Sequence, residues 1–314
     1  MSLESTHCAK IVYLEPIVEA RVLPKNKFHI SHDHMERLIM HKGSEDSTHW
    51  KIADLDFSKI NTAQVRPDEN LFYLVACASF VESGSHLYTQ NLVDYYGDEP
   101  EISNWLREQW EVEELQHGQA LRTYVEYIWP EFDWQTAYRN FLDEYSTYCK
   151  VELLEPSKGL EMVARCVVEA GTATFYSALS RSTSEPVLKD LASRIAKDEV
   201  NHYKHFFRYF RRFRQNEGLR RHRIFGALRR RTMEMKNEDA ACALRHVHSV
   251  RAPQFADDQA MVQQIHSKMN TTIRSHLSPD MTIKMIMRPL DLPHAVQSLV
   301  AYPVTQIMNK VFLR

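Results

Sequence analysis

Apolar residues return at three- and four-residue intervals through four long stretches, 71–95, 101–128, 157–181 and 187–213. That period marks amphipathic helices whose apolar stripes can face one another. The breaks between the stretches carry helix stops and starts. Tyr96-Gly97-Asp98-Glu99-Pro100 reads as a turn, and Trp129-Pro130-Glu131 ends the second stretch because proline cannot continue a helix. Ser182-Thr183-Ser184-Glu185-Pro186 reads as a second turn, with Ser184 expected as the N-cap and Pro186 in the first helical turn. Between Pro130 and Pro156 runs a long connection with a short helix expected over 134–148. Residues 1–65 are poorly periodic and carry scattered histidines, and the C-terminal part shows helical patterns at 239–249, 257–275 and 292–312. The pattern predicts an all-α fold in three parts. These are an N-terminal extension over 1–65, a four-helix bundle over 66–215, and a C-terminal helical region over 216–314 packed on the bundle.

Composition agrees with long helices and adds little else. The 314 residues are 44% hydrophobic, with only 8 Gly and 12 Pro to punctuate them. A net charge of −2 points to no particular partner. The five cysteines are scattered, with no CxxC pair, which argues against a disulfide framework or a cysteine-rich zinc site. No leader-like apolar segment opens the chain and no apolar run approaches membrane-spanning length, so a cytoplasmic setting is the expectation.

The chemistry lies in two Glu-x-x-His motifs, Glu114-Leu115-Gln116-His117 and Glu199-Val200-Asn201-His202, and two lone glutamates, Glu82 and Glu169. As strings the motifs mean little, since a third copy at Glu4-Ser5-Thr6-His7 sits where nothing reads as a helix. Their positions mean more. Glu82 and Glu114 each lie 16 residues from the first turn centre at Asp98, and Glu169 and Glu199 each lie 15 residues from the second at Ser184. At about 1.5 Å per residue, each hairpin brings its two glutamates to one height, roughly 20 Å from the turn. Within each motif the i and i+3 side chains share a helix face. Carboxylates and imidazoles suit iron or manganese, and a carboxylate can bridge two ions. The expected arrangement has Glu114 and Glu169 bridging, Glu82 and Glu199 terminal, and one of His117 and His202 on each metal. Without metal or protons, four glutamates at one level would repel strongly; the competing reading is a buried salt-bridge network or six residues that simply face solvent.

Trp110-Glu111-Val112-Glu113-Glu114-Leu115-Gln116-His117-Gly118 resembles the W-x-x-E-E-x-x-H-G stretch of soluble acyl carrier protein desaturases. Ala196-Lys197-Asp198-Glu199-Val200-Asn201-His202 resembles their second motif, and Glu169-Ala170-Gly171-Thr172 their third-helix segment. The resemblance covers about residues 70–215 and reaches the wider ferritin-like di-iron carboxylate superfamily. It implies a ferritin-like four-helix bundle with one long crossover, extended by extra N- and C-terminal helices. It also implies two Fe ions (or a Mn/Fe pair) that use O2 to desaturate or hydroxylate an acyl or carrier-bound substrate. An external electron donor such as ferredoxin and a homodimeric state are further implications. By the same resemblance Thr172 is the catalytic hydroxyl, with hydrogen bonding to the preceding helical turn as its plainer role. Asp198 is expected to accept from a ligand imidazole, and Trp110 to stand on an electron route or in the core. Other members of the superfamily oxidise small natural-product intermediates or tRNA, or bind iron without catalysis. A variant with a third histidine one turn before the last glutamate is disfavoured by Ile195 at that position. His86, one turn after Glu82, is a minor ligand candidate, and His205 is expected on the surface.

From Lys204 to Arg231 ten arginines and one lysine face a single acid, Glu217. This density points to an anionic partner. An acyl carrier protein, a phosphopantetheine or coenzyme A thioester, or a tRNA would each fit, with Arg211, Arg212 and Arg214 as docking residues.

Overall fold

The computed structural model describes residues 49–234 and 238–293, and every regular element among them is helical. A short turn at Thr62–Val65 leads into α1 (Glu69–Ser83), which Asp68 caps by accepting from the Leu71 N–H. α2 (Ser85–Tyr95) follows directly. The stretch expected as one helix over 71–95 is therefore broken at Gly84, where an added Cβ would lie 3.3 Å from Phe80 O and from the Tyr145 ring. Next come α3 (Pro100–Trp105), a π-helical segment Leu106–Trp110, and α4 (Glu111–Ile128). The wide π turn packs buried Leu106 and Trp110 inward immediately before the first Glu-x-x-His motif. α4 stops at Trp129-Pro130 as the sequence requires.

The long connection contains α5 (Trp134–Tyr145), capped by Asp133 and shorter at its end than expected. α6 (Lys158–Ser182) is capped by Ser157, and α7 (Pro186–Asn216) is capped by Glu185, whose carboxylate accepts from Val187 and Leu188 N–H. The expected cap, Ser184, is displaced because the longer Glu185 side chain reaches both free amides at once. Gly218, at φ 60°, ends this run in the left-handed region that glycine tolerates best. The C-terminal part adds α8 (Arg221–Glu234), α9 (Glu238–Arg251), α10 (Gln259–Ser275) and α11 (Pro279–Met287). The sequence pattern missed α8, in which arginines match the apolar positions in number, and α11, which is only nine residues long. The helix expected over 292–312 lies outside the described residues beyond residue 293.

Four helices set the frame for the site. α1 pairs with α4, α6 pairs with α7, and α4 touches α7. α1 is buried nearly all round, as an apolar helix at the centre of a core must be. α9 and α10 cover its outer side, and α8 and α11 lie against α6. Trp50, Leu55, Ile60 and Val65 from the segment assigned to an N-terminal extension are also buried in this core. No helix among the described residues is long and apolar enough to cross a membrane.

Candidate metal centre

Six side chains from the four central helices meet in the interior. α1 supplies Glu82, α4 supplies Glu114 and His117, α6 supplies Glu169, and α7 supplies Glu199 and His202. All six are buried, none more than 6% exposed. They fall into two overlapping quartets, Glu82-Glu114-His117-Glu199 and Glu114-Glu169-Glu199-His202, with donor atoms within 4.8 Å of one another in each. Glu114 and Glu199 belong to both. Glu169, expected as a bridge, falls in one quartet only, and the carboxylates common to both are those of the two Glu-x-x-His motifs. The reason is positional, since α4 and α7 are the helices that also bring the two imidazoles together, with ring centroids 6.0 Å apart.

The imidazoles face the cluster through Nδ1. His117 Nδ1 lies 3.3 Å from Glu199 Oε1 and 3.8 Å from Glu82 Oε2. His202 Nδ1 lies 3.0 Å from Glu114 Oε1, 3.6 Å from Glu169 Oε2 and 3.9 Å from Glu199 Oε2. Despite this proximity, His117 Nδ1, His202 Nδ1, Glu169 Oε1 and Glu199 Oε1 close no hydrogen bond although fully buried. Burying four such atoms unpartnered costs free energy unless something else satisfies them.

The outer nitrogens are held reciprocally. His117 Nε2 donates to Asp198 Oδ2 at 3.0 Å, and His202 Nε2 donates to Glu113 Oε2 at 2.7 Å. The acid just before each motif's glutamate therefore orients the histidine of the other motif, which aims Nδ1 inward at the cluster. Asp198 also accepts from Trp50 Nε1 at 2.7 Å, and the Trp50 ring lies parallel to His117 at 6.2 Å. Glu113 also faces His49 Nε2 at 3.3 Å and accepts from Gln109 at 3.1 Å. The Thr172 hydroxyl lies 2.6 Å from Glu199 Oε2 and also within reach of the Val168 and Glu169 carbonyls, the bond to the preceding helical turn expected as its plainer role. Tyr176, buried two turns beyond Glu169, donates to Glu82 Oε1 at 2.5 Å.

Burial opposes charge on both imidazoles, but facing carboxylates outweigh it and hold His117 and His202 well above their usual value. Burial and then the Glu199 and Glu82 charges push Glu114 well up, and burial pushes Glu169 up to about 8. Burial also opposes charge on Glu199, yet the two imidazoles hold it well below the usual carboxylate range. Burial is likewise overcome at Asp198 and Glu113, which the His117 and His202 hydrogen bonds lower. Two divalent ions would balance the four central carboxylates and accept both inward nitrogens.

The remaining sequence candidates sit further out. Trp110 meets His202 edge-on at 6.3 Å, with its buried Nε1 unpartnered. His86 Nδ1 lies 3.1 Å from Ser83 O, outside both quartets. His205, expected on the surface, is half-buried and stacked on Trp105 at 4.9 Å, because its helix face turns toward the end of α3. Arg212 is engaged by Glu99 and Glu101 at 2.8 Å, and Arg214 lies 3.4 Å from Asp291. Arg211 is exposed and lines two adjoining surface cavities of about 430 and 1120 Å³, with Phe207, Gln215 and Arg288 common to both. Neither cavity is lined by a residue of the buried cluster.

The sequence reading missed Glu113, Trp50 and Tyr176. Glu113 was legible, since both motifs read acid-Glu-x-x-His. Tyr176 follows Glu169 at a spacing of two helical turns, whereas Trp50 lies in an unperiodic segment that gives no signal. Comparison with family models, with curated proteins and with solved structures finds no match.

Proposed function

We propose that this chain is an O2-dependent di-iron oxidoreductase of ferritin-like architecture that oxidises a C–H bond, by desaturation or hydroxylation, of an acyl or carrier-bound substrate. The observation that carries the metal reading is the convergence of four buried carboxylates and two imidazoles, each with Nδ1 turned inward, into two overlapping quartets of donor atoms. The sharing of Glu114 and Glu199 by both quartets suits two ions rather than one. When bound, an iron pair supplies the O2-reducing and hydrogen-abstracting chemistry that no side chain can provide.

The chain's own residues do the rest. Asp198 and Glu113 fix the imidazole tautomers. Thr172 holds a hydroxyl proton against Glu199, placed to move as charge on that carboxylate changes. Tyr176 pins Glu82 from the opposite side. Burial of all six ligands keeps bulk water from the reacting centre. Support for an anionic, partly apolar substrate carrier comes from the cavities beside Arg211. Their walls combine Arg211, Arg288 and Lys284 with Phe207, Phe210 and Met285. An electron-transfer protein such as a ferredoxin completes the reaction by returning electrons.

Iron analysis combined with optical spectra before and after O2 exposure tests the metal reading. Two irons per chain and a ligand-to-metal absorption that develops with O2 are expected. Full iron content in Glu114→Ala or His202→Ala would remove those residues from coordination and sink the assignment. Product mass spectrometry with carrier-bound and free acyl thioesters then tests the substrate class. Turnover of a small natural-product intermediate alone would overturn the acyl part and leave the metal part standing.

A further inference from the structure

The geometry points to a second, mononuclear metal site, for zinc or another borderline-soft divalent cation, held by Glu144, Cys242 and His246 between α5 and α9. Neither helix supplies a ligand to the four-helix cluster, so the site is independent of the function proposed above.

The three donors come from the packed pair α5 and α9. Cys242 and His246 stand four residues apart on α9, so both side chains lie on the face turned to α5. Glu144 comes from the last turn of α5. The Sγ, imidazole nitrogen and carboxylate oxygen lie within 4.8 Å of one another. Donors in a tetrahedral zinc site lie roughly 3.3–3.7 Å apart, given Zn–S and Zn–N or Zn–O bond lengths. The donors thus already stand near that spacing, and the His246 Nε2–Glu144 Oε2 contact, now 2.8 Å, opens by about half an ångström to admit an ion.

The surroundings fit a ligand set better than a salt bridge alone. Glu144 Oε1 is already held by the Tyr148 hydroxyl at 2.7 Å and by the Arg245 guanidinium. That leaves Oε2, the oxygen facing His246, as the ligand atom, oriented from behind as coordinating carboxylates usually are. Glu144, Arg245, His246 and Tyr148 would form a complete polar network without any sulfur. Cys242 is nevertheless fully buried against it. The His246 and Glu144 side chains are 20% and 32% exposed, so a cation can enter and a water can take the fourth position. Binding takes the place of the His246–Glu144 hydrogen bond and expels the thiol proton to solvent. One thiolate, one imidazole and one carboxylate select zinc, cobalt or copper over the magnesium and calcium that prefer oxygen.

Cobalt(II) titration of the metal-free full chain tests this, because a thiolate-to-cobalt charge-transfer band in the near ultraviolet requires a sulfur ligand and the four-helix cluster has none. The band should saturate at one cobalt per chain, be bleached by zinc, and vanish in both Cys242→Ser and His246→Gln. Zinc content after gel filtration should fall by one per chain in either variant, while the four-helix cluster keeps its metals. His246→Gln, at a partly exposed position, keeps the test valid if Cys242→Ser fails to fold. Absence of the band from the wild-type protein, or its persistence in both variants, overturns the proposal and leaves Glu144 as a plain ion-pair centre.

Discussion

Replacing Gly118 by alanine tests how tightly the spacing of two ligands depends on a backbone contact. Gly118 follows His117 on α4, and Ser83 follows Glu82 on α1, so their contact sets the separation of the two ligand-bearing turns. A Cβ on residue 118 would sit 2.7 Å from Ser83 N and 2.9 Å from Ser83 Cα, and against the Ser83 hydroxyl as well. Ordinary contact begins at 3.4 Å, and backbone atoms cannot rotate away. α1 must therefore retreat by about 0.5–0.7 Å at the height of Glu82. Overpacking of this kind costs roughly 3 kcal/mol at the upper end of its usual range. Alanine returns about 1 kcal/mol of helix propensity. The net loss of about 2 kcal/mol should lower Tm by roughly 4–8 °C for a domain of this size. Gly226→Ala is the control, since its nearest neighbour is the flexible end of Arg230 at 3.2 Å, and it should leave Tm unchanged or slightly raised. Iron content should fall from two toward one per chain, because the His117 half-site widens while the His202 half-site lies on α6 and α7 as well as α4. Unchanged melting with full iron content in Gly118→Ala would refute the link between helix approach and ligand spacing.

The metal-free chain should lose stability as pH rises from about 7 to 9. His117, His202, Glu114 and Glu169 all have folded pKa values raised above their unfolded ones, with Glu169 at about 8, so their stabilising protonated forms are lost as pH climbs through those values. Differential scanning calorimetry at several pH values reads this, and a metal-free Tm that rises over the same window would contradict the assignment. Loading with metal should release roughly four protons near neutral pH from those same groups, measurable with a weakly buffered indicator, whereas release of none would mean the ligands were already ionised. Asp198→Asn should weaken iron binding about 10- to 100-fold by freeing the His117 tautomer, with circular dichroism unchanged; equal affinity would relegate that hydrogen bond to packing. Charge reversal at Arg211 should raise KM for the true carrier-bound substrate without altering iron content, and identical kinetics would remove the cavities beside it from substrate recognition.

The four central helices were legible because each carries an apolar stripe bounded by proline or capping residues, as at Pro130 and Pro186. The six central side chains were legible because their distances to the two turns match, a constraint that chance seldom satisfies twice. Which carboxylates are shared was not legible, since turn counting fixes the height of a residue but not its rotation about the helix axis. The same limit hid the exchange of Asp198 and Glu113 between motifs. Trp50 and Cys242 were invisible for another reason: their partners, Asp198 and Glu144, are distant in sequence and join them through packing that no local period encodes. The break at Gly84 and the π turn before Glu111 are tertiary fits to Tyr145 and to the core, laid over a local pattern that reads as continuous helix.

The reciprocal hold on the imidazoles has a consequence for how the chain matures. His117 waits on an acid 81 residues downstream, and His202 on one 89 residues upstream. Neither half of the chain can complete a binding pocket alone, so during synthesis α4 emerges long before its imidazole has a fixed direction. Long-range closures of this kind come late in folding. On the proposed metal reading, loading would act as a checkpoint on finished tertiary structure, because a nascent or truncated chain ending before α7 presents loose carboxylates but no competent centre.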